Sequence, residues 1–193
     1  MPKLNRRQSG FTLLEIIISI SLFTIIIMLV SDIYLFSQRS YNKNSNTAEL
    51  TQNARVSLDR LSRELRQSAD IITALPATGD DPLNPPTNQI FFQDGHDIAR
   101  ITYLSYYLDG TNLMRENKAY YFSEEPETYV AYNAKNQGGE PPEYIILGDR
   151  RVVGEYFTEL KFWGADGLIN ISLSLIKNQH NFDLETSIFS RNR

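Results

Sequence analysis

Hydrophobic and polar positions divide the chain into three zones, and the first is an almost unbroken apolar run. It extends from Phe11 to Val30, 20 residues in which Glu15 is the one formal charge. As a helix that rises about 1.5 Å per residue, the run spans about 30 Å, which is the hydrocarbon thickness of a bilayer. The run therefore predicts a membrane-spanning helix.

In the second zone, apolar residues recur at steps of three and four, the period of an amphipathic helix. No Pro or Gly lies between Phe11 and Leu75, so one helix from about residue 11 to about residue 72 is permitted. Residues 42–47 are poor helix formers, so an interruption of the helix there is an alternative. We expect the apolar stripe to pack on the chain's own sheet; the alternative is a coiled-coil seam with a partner. The stripe consists of Ala54, Leu58, Leu61, Leu65, Ala69 and Ile72.

Short alternating segments separated by turn residues fill the third zone, after a loop at 76–88, and predict strands. Asp109-Gly110 has the signature of a two-residue hairpin turn. Residues 123–143 are rich in Pro, Gly and Glu and are predicted to be irregular. One long helix followed by hairpins predicts an α+β fold with the helix packed on an antiparallel β-sheet. The predicted strands are 89–93, 98–108, 113–116, 119–122, 144–147, 156–163, 168–176 and 181–189.

Composition narrows the class of protein. The chain has 193 residues, no cysteine and a net charge of −4. About 120 residues follow the long helix, which suits one compact domain. The acidic balance argues against a nucleic-acid surface. The absence of cysteine excludes a disulfide framework and a thiolate metal site.

The charges before the apolar run predict its orientation. Lys3, Arg6 and Arg7 precede the run without an acidic residue among them. Such positive flanks stay in the cytoplasm, so the C-terminal domain is expected outside, in the periplasm or beyond the cell. A cleaved secretory signal does not fit, because the run is long and no small-residue cleavage site follows it. A plain anchor leaves Glu15 unexplained, since a carboxylate in an apolar membrane helix is costly and usually functional.

The segment Gly10-Phe11-Thr12-Leu13-Leu14-Glu15, after its short basic leader, resembles the processing site of type IV prepilins and type II secretion pseudopilins. In that family a Gly ends the leader, an aromatic residue begins the mature chain, and a Glu follows shortly after. The resemblance implies that a prepilin peptidase cuts between Gly10 and Phe11 and then methylates the new amine of Phe11. Loss of the leader would change the net charge from −4 to −7.

The same resemblance implies that Glu15 docks the subunit by pairing with the Phe11 amine of a neighbour. A buried charge is tolerated only when it is partnered. The alternatives are that Glu15 lies at the depth of the lipid headgroups or pairs with its own amine. The implied partners are the prepilin peptidase, other minor and major pilins or pseudopilins, the assembly platform in the cytoplasmic membrane, and membrane lipid before assembly.

Weaker similarities concern the rest of the chain. Residues 53–66, 101–104, 113–115 and 159–192 are similar to parts of J-type minor pseudopilins and W-type minor pilins. The chain departs from major pilins because it has no C-terminal disulfide, and because Asp32 stands where those proteins break the membrane helix. The resemblance implies a cleaved cytoplasmic leader at 1–10, a transmembrane helix at 11–36, an extracytoplasmic helix extension at 37–75, and a globular β-rich head domain at 76–193.

Candidate chemistry in the third zone is sparse, and we expect no cofactor and no resident metal. The only histidines, His96 and His180, accompany no serine nucleophile motif. Asp80, Asp81 and residues 94–97 offer oxygen ligands but match no ordered calcium loop. Many tyrosines lie here, and they serve either sheet packing or a binding face. An acidic patch consists of Glu124, Glu125 and Glu127, and the tyrosines are Tyr103, Tyr106, Tyr107, Tyr120, Tyr121, Tyr129 and Tyr132.

The leading hypothesis is a structural protein, not an enzyme: a minor pilin or pseudopilin that primes assembly at or near the tip of a type II secretion pseudopilus or type IV pilus. It would be a single-pass protein of the cytoplasmic (inner) membrane before it enters the filament. The alternative is a tip-displayed adhesin or DNA-uptake binding subunit with the same N-terminus. A membrane-anchored enzyme is disfavoured because no catalytic constellation is visible.

Overall fold

The computed structural model describes residues 10–97 and 100–190. The chain divides into two compact units, Met1–Ser45 and Asn46–Arg193, and we call the second the head unit. One helix, α1, extends over 55 residues from Leu13 to Gln67, so the break considered near 42–47 does not form. Lys3, Arg6 and Arg7 lie outside the described residues.

The predicted helix end near residue 72 is wrong, because α1 ends at Gln67. The amide and the hydroxyl of Ser68 both donate to the carbonyl of Leu65, at 3.3 and 2.8 Å. The chain then enters the sheet, where the N–H of Ile72 donates to the carbonyl of Phe91 at 2.9 Å. β-Branched residues at 71–73 favour this extended conformation over a further helical turn.

Ten strands follow α1 in the described part of the chain. They are β1 Asp70–Ile71, β2 Gln89–Gln93, β3 Tyr103–Asp109, β4 Asn112–Phe122, β5 Glu125–Val130, β6 Glu143–Ile146, β7 Arg151–Gly154, β8 Phe157–Trp163, β9 Leu168–Lys177 and β10 His180–Phe189. They form two antiparallel sheets. The first has seven strands in the order β1-β2-β3-β4-β5, with β6 and β7 also paired to β4, and the second has the order β10-β9-β8.

The predicted α+β fold is confirmed, with differences in the strands. The β3–β4 hairpin closes at the pair Asp109 and Asn112, as the Asp-Gly signature predicted. The segments 113–116 and 119–122 form one strand, β4, and the strand expected from residue 98 begins at Tyr103. The segment 123–143, expected to be irregular, contains β5, and β7 was not predicted. One sheet was expected, whereas the strands form two sheets. The apolar pattern does not identify β5 because its first four residues are all exposed.

The core of the head unit lies between α1 and both sheets. Leu50, Ala54, Leu61 and Leu65 of α1 are fully buried in one cluster with apolar residues of β2, β3, β8, β9 and β10. The predicted stripe therefore packs on the chain's own sheets from Ala54 to Leu65, whereas Ala69 and Ile72 lie beyond the end of the helix and Ala69 is exposed. Gly154 permits a close approach of the helix, since an added Cβ there would collide with the Ser57 hydroxyl and lie 2.7 Å from the Phe157 ring.

A partly buried carboxylate, Glu64, ties α1 to the first sheet. Its oxygens accept hydrogen bonds from the Tyr106 hydroxyl at 2.7 Å and from the Arg115 guanidinium at 3.0 Å. Arg60, one turn earlier, donates at 3.3 Å. Burial opposes ionisation of Glu64, but the bonds from Arg115 and Tyr106 outweigh it and hold the pKa of the carboxyl below its usual value. Burial, and then the charge of Glu64, raise the pKa of Tyr106.

Removing the Tyr106 hydroxyl tests this tie. We expect Tyr106→Phe to lower the free energy of unfolding by about 1.5–3 kcal/mol, because a hydrogen bond to a charged acceptor is lost. Urea denaturation of the detergent-solubilised chain measures it. Tyr129→Phe, a half-buried tyrosine of β5 outside this network, is the matched control. Equal stabilities of the two variants would contradict the role of Glu64 as a helix anchor.

The same carboxylate predicts a pH dependence. The pKa of Glu64 is depressed in the folded chain, so its contribution to stability is complete above its unfolded pKa of about 4.3 and is lost as pH falls through the folded value. Denaturation midpoints measured from pH 7 to pH 3 should therefore decline less steeply for Glu64→Gln than for the unmodified chain. Parallel declines would show that other carboxylates control acid stability.

Candidate functional site

The N-terminal segment of the described chain is exposed and precedes the helix. Gly10, Phe11 and Thr12 lie outside α1, which begins at Leu13. The Phe11 side chain is 80% exposed. The peptide bond between Gly10 and Phe11 therefore lies on accessible, non-helical backbone, which is where a protease can bind it.

The fold gives no steric reason for a glycine at position 10. A Cβ added to Gly10 would meet no heavy atom within 4 Å, and its φ lies outside the left-handed region. A glycine in a protein usually answers a need for positive φ or for close approach. Since neither need exists among residues 10–97 and 100–190, a requirement for Gly10 would come from a molecule that binds this segment.

Thr12 caps the first turn of α1. The N–H of Glu15 donates to the Thr12 hydroxyl at 3.3 Å, and the N–H of Ile16 donates to the Thr12 carbonyl at 3.3 Å. Thr12 and Glu15 have the spacing of a capping box, in which a Ser or Thr cap is followed three residues later by Glu. This role was not predicted, although the Thr-x-x-Glu pattern was visible in the sequence. A carboxylate in the first turn also stabilises the positive end of the helix.

Glu15 differs from the other polar residues of the apolar run. Ser19, Ser21, Thr24 and Ser31 each donate a hydroxyl to the carbonyl four residues earlier, at 2.7 to 2.9 Å. Such bonds satisfy hydroxyls where no water is available. The Glu15 carboxylate has no partner among the described residues, and its predicted docking role remains a prediction. By length and composition, α1 is the one candidate membrane span in the described chain, and its apolar window is not buried.

The acidic loop residues of the head unit serve in turns. The N–H of Leu83 donates to Asp81 at 2.9 Å, and the N–H of His96 donates to Asp94 at 3.0 Å. Side-chain acceptors of this kind fix tight turns. Within residues 10–97 and 100–190, no three His, Asp or Glu side chains are arranged to hold a metal ion. Of the remaining acidic candidates and the second histidine, Asp80, Glu124, Glu125 and Glu127 are exposed and His180 is half-buried.

Tyrosines lie on both faces of the first sheet. Tyr106 faces α1, whereas Tyr103 lies on the opposite face of β3 because side chains alternate along a strand. On that face Phe91, Tyr103, Tyr120 and Tyr132 form an aromatic cluster with ring centroids 5.2 to 6.5 Å apart. The sheet-packing interpretation fits the buried Tyr103. Tyr144 contacts this cluster through Tyr120, with 6.0 Å between the ring centroids. The exposed rim of the cluster is formed by Tyr132, 37% exposed, and Tyr144, 57% exposed.

A second buried carboxylate, Glu116 of β4, lies on the cluster's side of the first sheet. It is 3% exposed and receives Lys118 and Arg150, each at 2.7 Å. Burial opposes its ionisation, but the hydrogen bond and charge of Lys118, followed by those of Arg150, hold the pKa of Glu116 below its usual value. The Glu116 carboxylate therefore stays ionised and has no proton to transfer. It was not predicted, because Arg150 joins from a distant loop.

One comparison with known proteins identifies the N-terminal segment. Residues 5–31 match the family model of the prokaryotic N-terminal methylation motif. No curated protein matches the chain. The motif points to a structural subunit instead of an enzyme, and it spans the Gly10–Phe11 bond, Thr12 and Glu15.

The apolar N-terminal helix and the motif fit anchoring in the cytoplasmic membrane before entry into a pilus. The motif also implies processing by a prepilin peptidase and assembly with other pilins. Together with one long helix on antiparallel sheets, this motif supports the placement of the chain in the pilin and pseudopilin family, as a subunit processed from a prepilin.

Proposed function

We propose that the chain is a minor pilin or pseudopilin that primes assembly at or near the tip of a type IV pilus or type II secretion pseudopilus. The observation that carries the proposal is the N-terminal segment: a methylation motif at residues 5–31 whose Gly10–Phe11 bond is exposed and precedes the helix. Before assembly, residues 11–36 span the cytoplasmic membrane with the leader, 1–10, inside. The rest of α1, which ends at Gln67, and the strands that follow it lie outside.

Cleavage at Gly10–Phe11 converts an internal amide into the new N-terminus of the mature chain. The amine of Phe11, once methylated, is still a cation. It then lies close in sequence to the positive end of α1, where a free cation is unfavourable without a negative partner. A carboxylate is the group that compensates it.

Glu15 of a neighbouring subunit supplies that carboxylate in the proposed filament. Two opposite charges removed from water stabilise an assembly only when their geometry is good, and one left alone there is strongly unfavourable. The pair would therefore favour one axial position of each subunit over others. The partnerless state of Glu15 in the described chain supports this role.

The cleavage site is tested by Gly10→Val. We expect processing to be blocked while the fold is unchanged, because a Cβ at position 10 meets no atom within 4 Å. Intact-mass measurement of the chain, co-expressed with a prepilin peptidase, distinguishes the full-length and the mature forms. Thr12→Ser, which keeps the helix cap, should be processed normally. Cleavage of the Gly10→Val chain to the usual extent would refute the site.

The docking role of Glu15 depends on its charge, and two substitutions test it. Glu15→Gln removes the charge and keeps a polar side chain of similar size, whereas Glu15→Ala removes the polar group altogether; both keep the Thr12 cap, because its donor is the backbone N–H of residue 15. If charge pairing docks the subunit, both variants should be cleaved and should fail to enter filaments, as measured by immunoblots of sheared filament fractions. Normal incorporation of Glu15→Gln would contradict docking by charge.

A second candidate function, a tip-displayed binding subunit, is favoured by the exposed aromatic rim. Tyr144 is 57% exposed, and the Lys118 ammonium lies 5.2 Å from the centre of its ring. Aromatic side chains beside a cation are common in protein interfaces. The acidic net charge of −4 favours a protein or surface ligand over DNA.

A further inference from the structure

The two edges of the three-stranded sheet are treated differently by the rest of the chain. At the β8 edge, Thr87 and Phe162 exchange two backbone hydrogen bonds, at 3.0 and 2.8 Å, and the N–H of Gly164 donates to the carbonyl of Pro76 at 2.7 Å. The loop 76–88 therefore covers that edge. At the other edge, β10 pairs with β9 alone among the described strands.

The β10 edge has few of the features that usually prevent strand addition. Proteins protect exposed edges with short strands, bulges, Pro, charged side chains (above all Lys) or charges that point inward. β10 is ten residues long and pairs with β9 without a register shift from His180 to Phe189. Its sequence contains no Pro and no Lys, and its charged residues, Asp183 and Glu185, are exposed.

The register shows which backbone groups face the open edge. The N–H of Ser190 donates to the carbonyl of Gly167 at 3.0 Å. Because hydrogen-bonded pairs alternate in an antiparallel ladder, Ile188, Thr186, Leu184 and Phe182 also bond to β9. The residues between them direct N–H and C=O away from β9. These edge-facing residues are Asn181, Asp183, Glu185, Ser187 and Phe189.

A second hydrogen bond agrees with this assignment. The N–H of Ile176 in β9 donates to the carbonyl of Tyr156, on the β8 side, at 2.9 Å. Ile176 is opposite Asn181 in the β9–β10 ladder. Since Ile176 uses its backbone toward β8, the pair with Asn181 is a non-hydrogen-bonded one. The free groups of Asn181 therefore face the open edge.

The side chains of β10 indicate what an added strand should contain. Phe182 and Leu184 are only partly buried against the core, so an apolar neighbour would extend that layer. Asp183 and Glu185 lie on the opposite, exposed face, where no ion-pair partner exists among the described residues. Basic side chains opposite them would be favourable as cross-strand pairs.

We propose that β10 is a docking edge for an extended strand of a partner polypeptide in which apolar residues alternate with Lys or Arg. Main-chain hydrogen bonds would supply the affinity, and the alternating side chains the specificity. A second copy of β10 is the less favourable occupant, because β10 contains no Lys or Arg to place opposite Asp183 and Glu185. In the antiparallel register centred on Leu184, self-pairing would also place Asp183 opposite Glu185 twice, and like charges directly opposite each other are destabilising.

The proposal is tested with the full chain in a neutral detergent and a fluorescein-labelled peptide of alternating lysine and valine. Fluorescence anisotropy measures its affinity, and amide hydrogen exchange maps where it binds. We expect exchange to slow at Asp183, Glu185 and Ser187 and to be unchanged at Leu184 and Thr186, whose amides already bond to β9. Absent or uniform protection across β10 would overturn the proposal, and so would equal binding of a peptide of alternating glutamate and valine.

Two substitutions of Glu185 distinguish the contribution of main-chain hydrogen bonds to peptide affinity from that of side-chain charge. Glu185→Pro removes an N–H that faces the edge and spares the ladder to β9, so peptide affinity should fall by about tenfold or more. Glu185→Gln should weaken binding by only about twofold to fivefold, as expected for an exposed ion pair. Glu159→Gln, an exposed glutamate of β8 in the same sheet, is the matched control and should bind the peptide as the unmodified chain does.

If Glu185→Pro does not fold, a lysine–valine peptide that is N-methylated at alternate amides tests the same point. This peptide retains its side chains but loses the N–H groups that would bond to β10, so we expect it not to bind. Undiminished binding would overturn the strand-addition mechanism. Sedimentation of the chain without peptide gives a further outcome: a dimer that Glu185→Pro dissociates would overturn the assignment in favour of a second copy.

Discussion

A single α-helix has to satisfy two different environments, and the rest of the molecule depends on this constraint. Between Leu50 and Leu65, α1 buries an apolar face in the core of the head unit. Between Leu13 and Val30, the same helix exposes large apolar side chains on all sides. At about 25 cal/mol per Å² of apolar surface, such a segment is not tolerated in water. It must lie in lipid or against other protein at every stage, and this explains why a chain of this type needs a membrane before it has neighbours.

Buried carboxylates in the head unit show what the unpartnered Glu15 lacks. Glu64 has Tyr106, Arg115 and Arg60, and Glu116 has Lys118 and Arg150. In both cases cationic partners and hydrogen bonds hold the carboxyl pKa down despite burial. The hydroxyls of the apolar run are satisfied within α1 itself. The Glu15 carboxylate has no such partner among the described residues, and the partner that we propose, the Phe11 amine of a neighbour, forms only on cleavage.

The sequence pattern correctly predicted those elements whose formation depends on residues close together in the chain. The amphipathic stripe from Ala54 to Leu65, the β3–β4 hairpin and the three strands of the second sheet follow from periodicity and turn residues, and the structure confirms them. The end of α1 was mispredicted, because the bond from Ile72 to Phe91 depends on a strand far along the chain. The same holds for Glu64 and Glu116, whose partners come from other elements. At the N-terminus the motif was visible in the sequence, whereas the proposed roles of Gly10, Phe11 and Glu15 involve a peptidase and neighbouring subunits, and the fold of one chain does not test them.

Under the proposed function, selection among neighbours cannot come from the N-terminal motif, because the same motif serves every subunit that carries it. It has to come from the head unit, whose exposed features include the Tyr132–Tyr144 rim and the edge of β10. An open edge alone would bind many strands, including its own copy, since main-chain hydrogen bonds are not selective. Asp183 and Glu185 narrow this choice, because an acidic side chain opposite them is unfavourable and a basic one is favourable. The acidic pair therefore gives the edge a preference for a different chain over a second copy, which a backbone ladder by itself does not have.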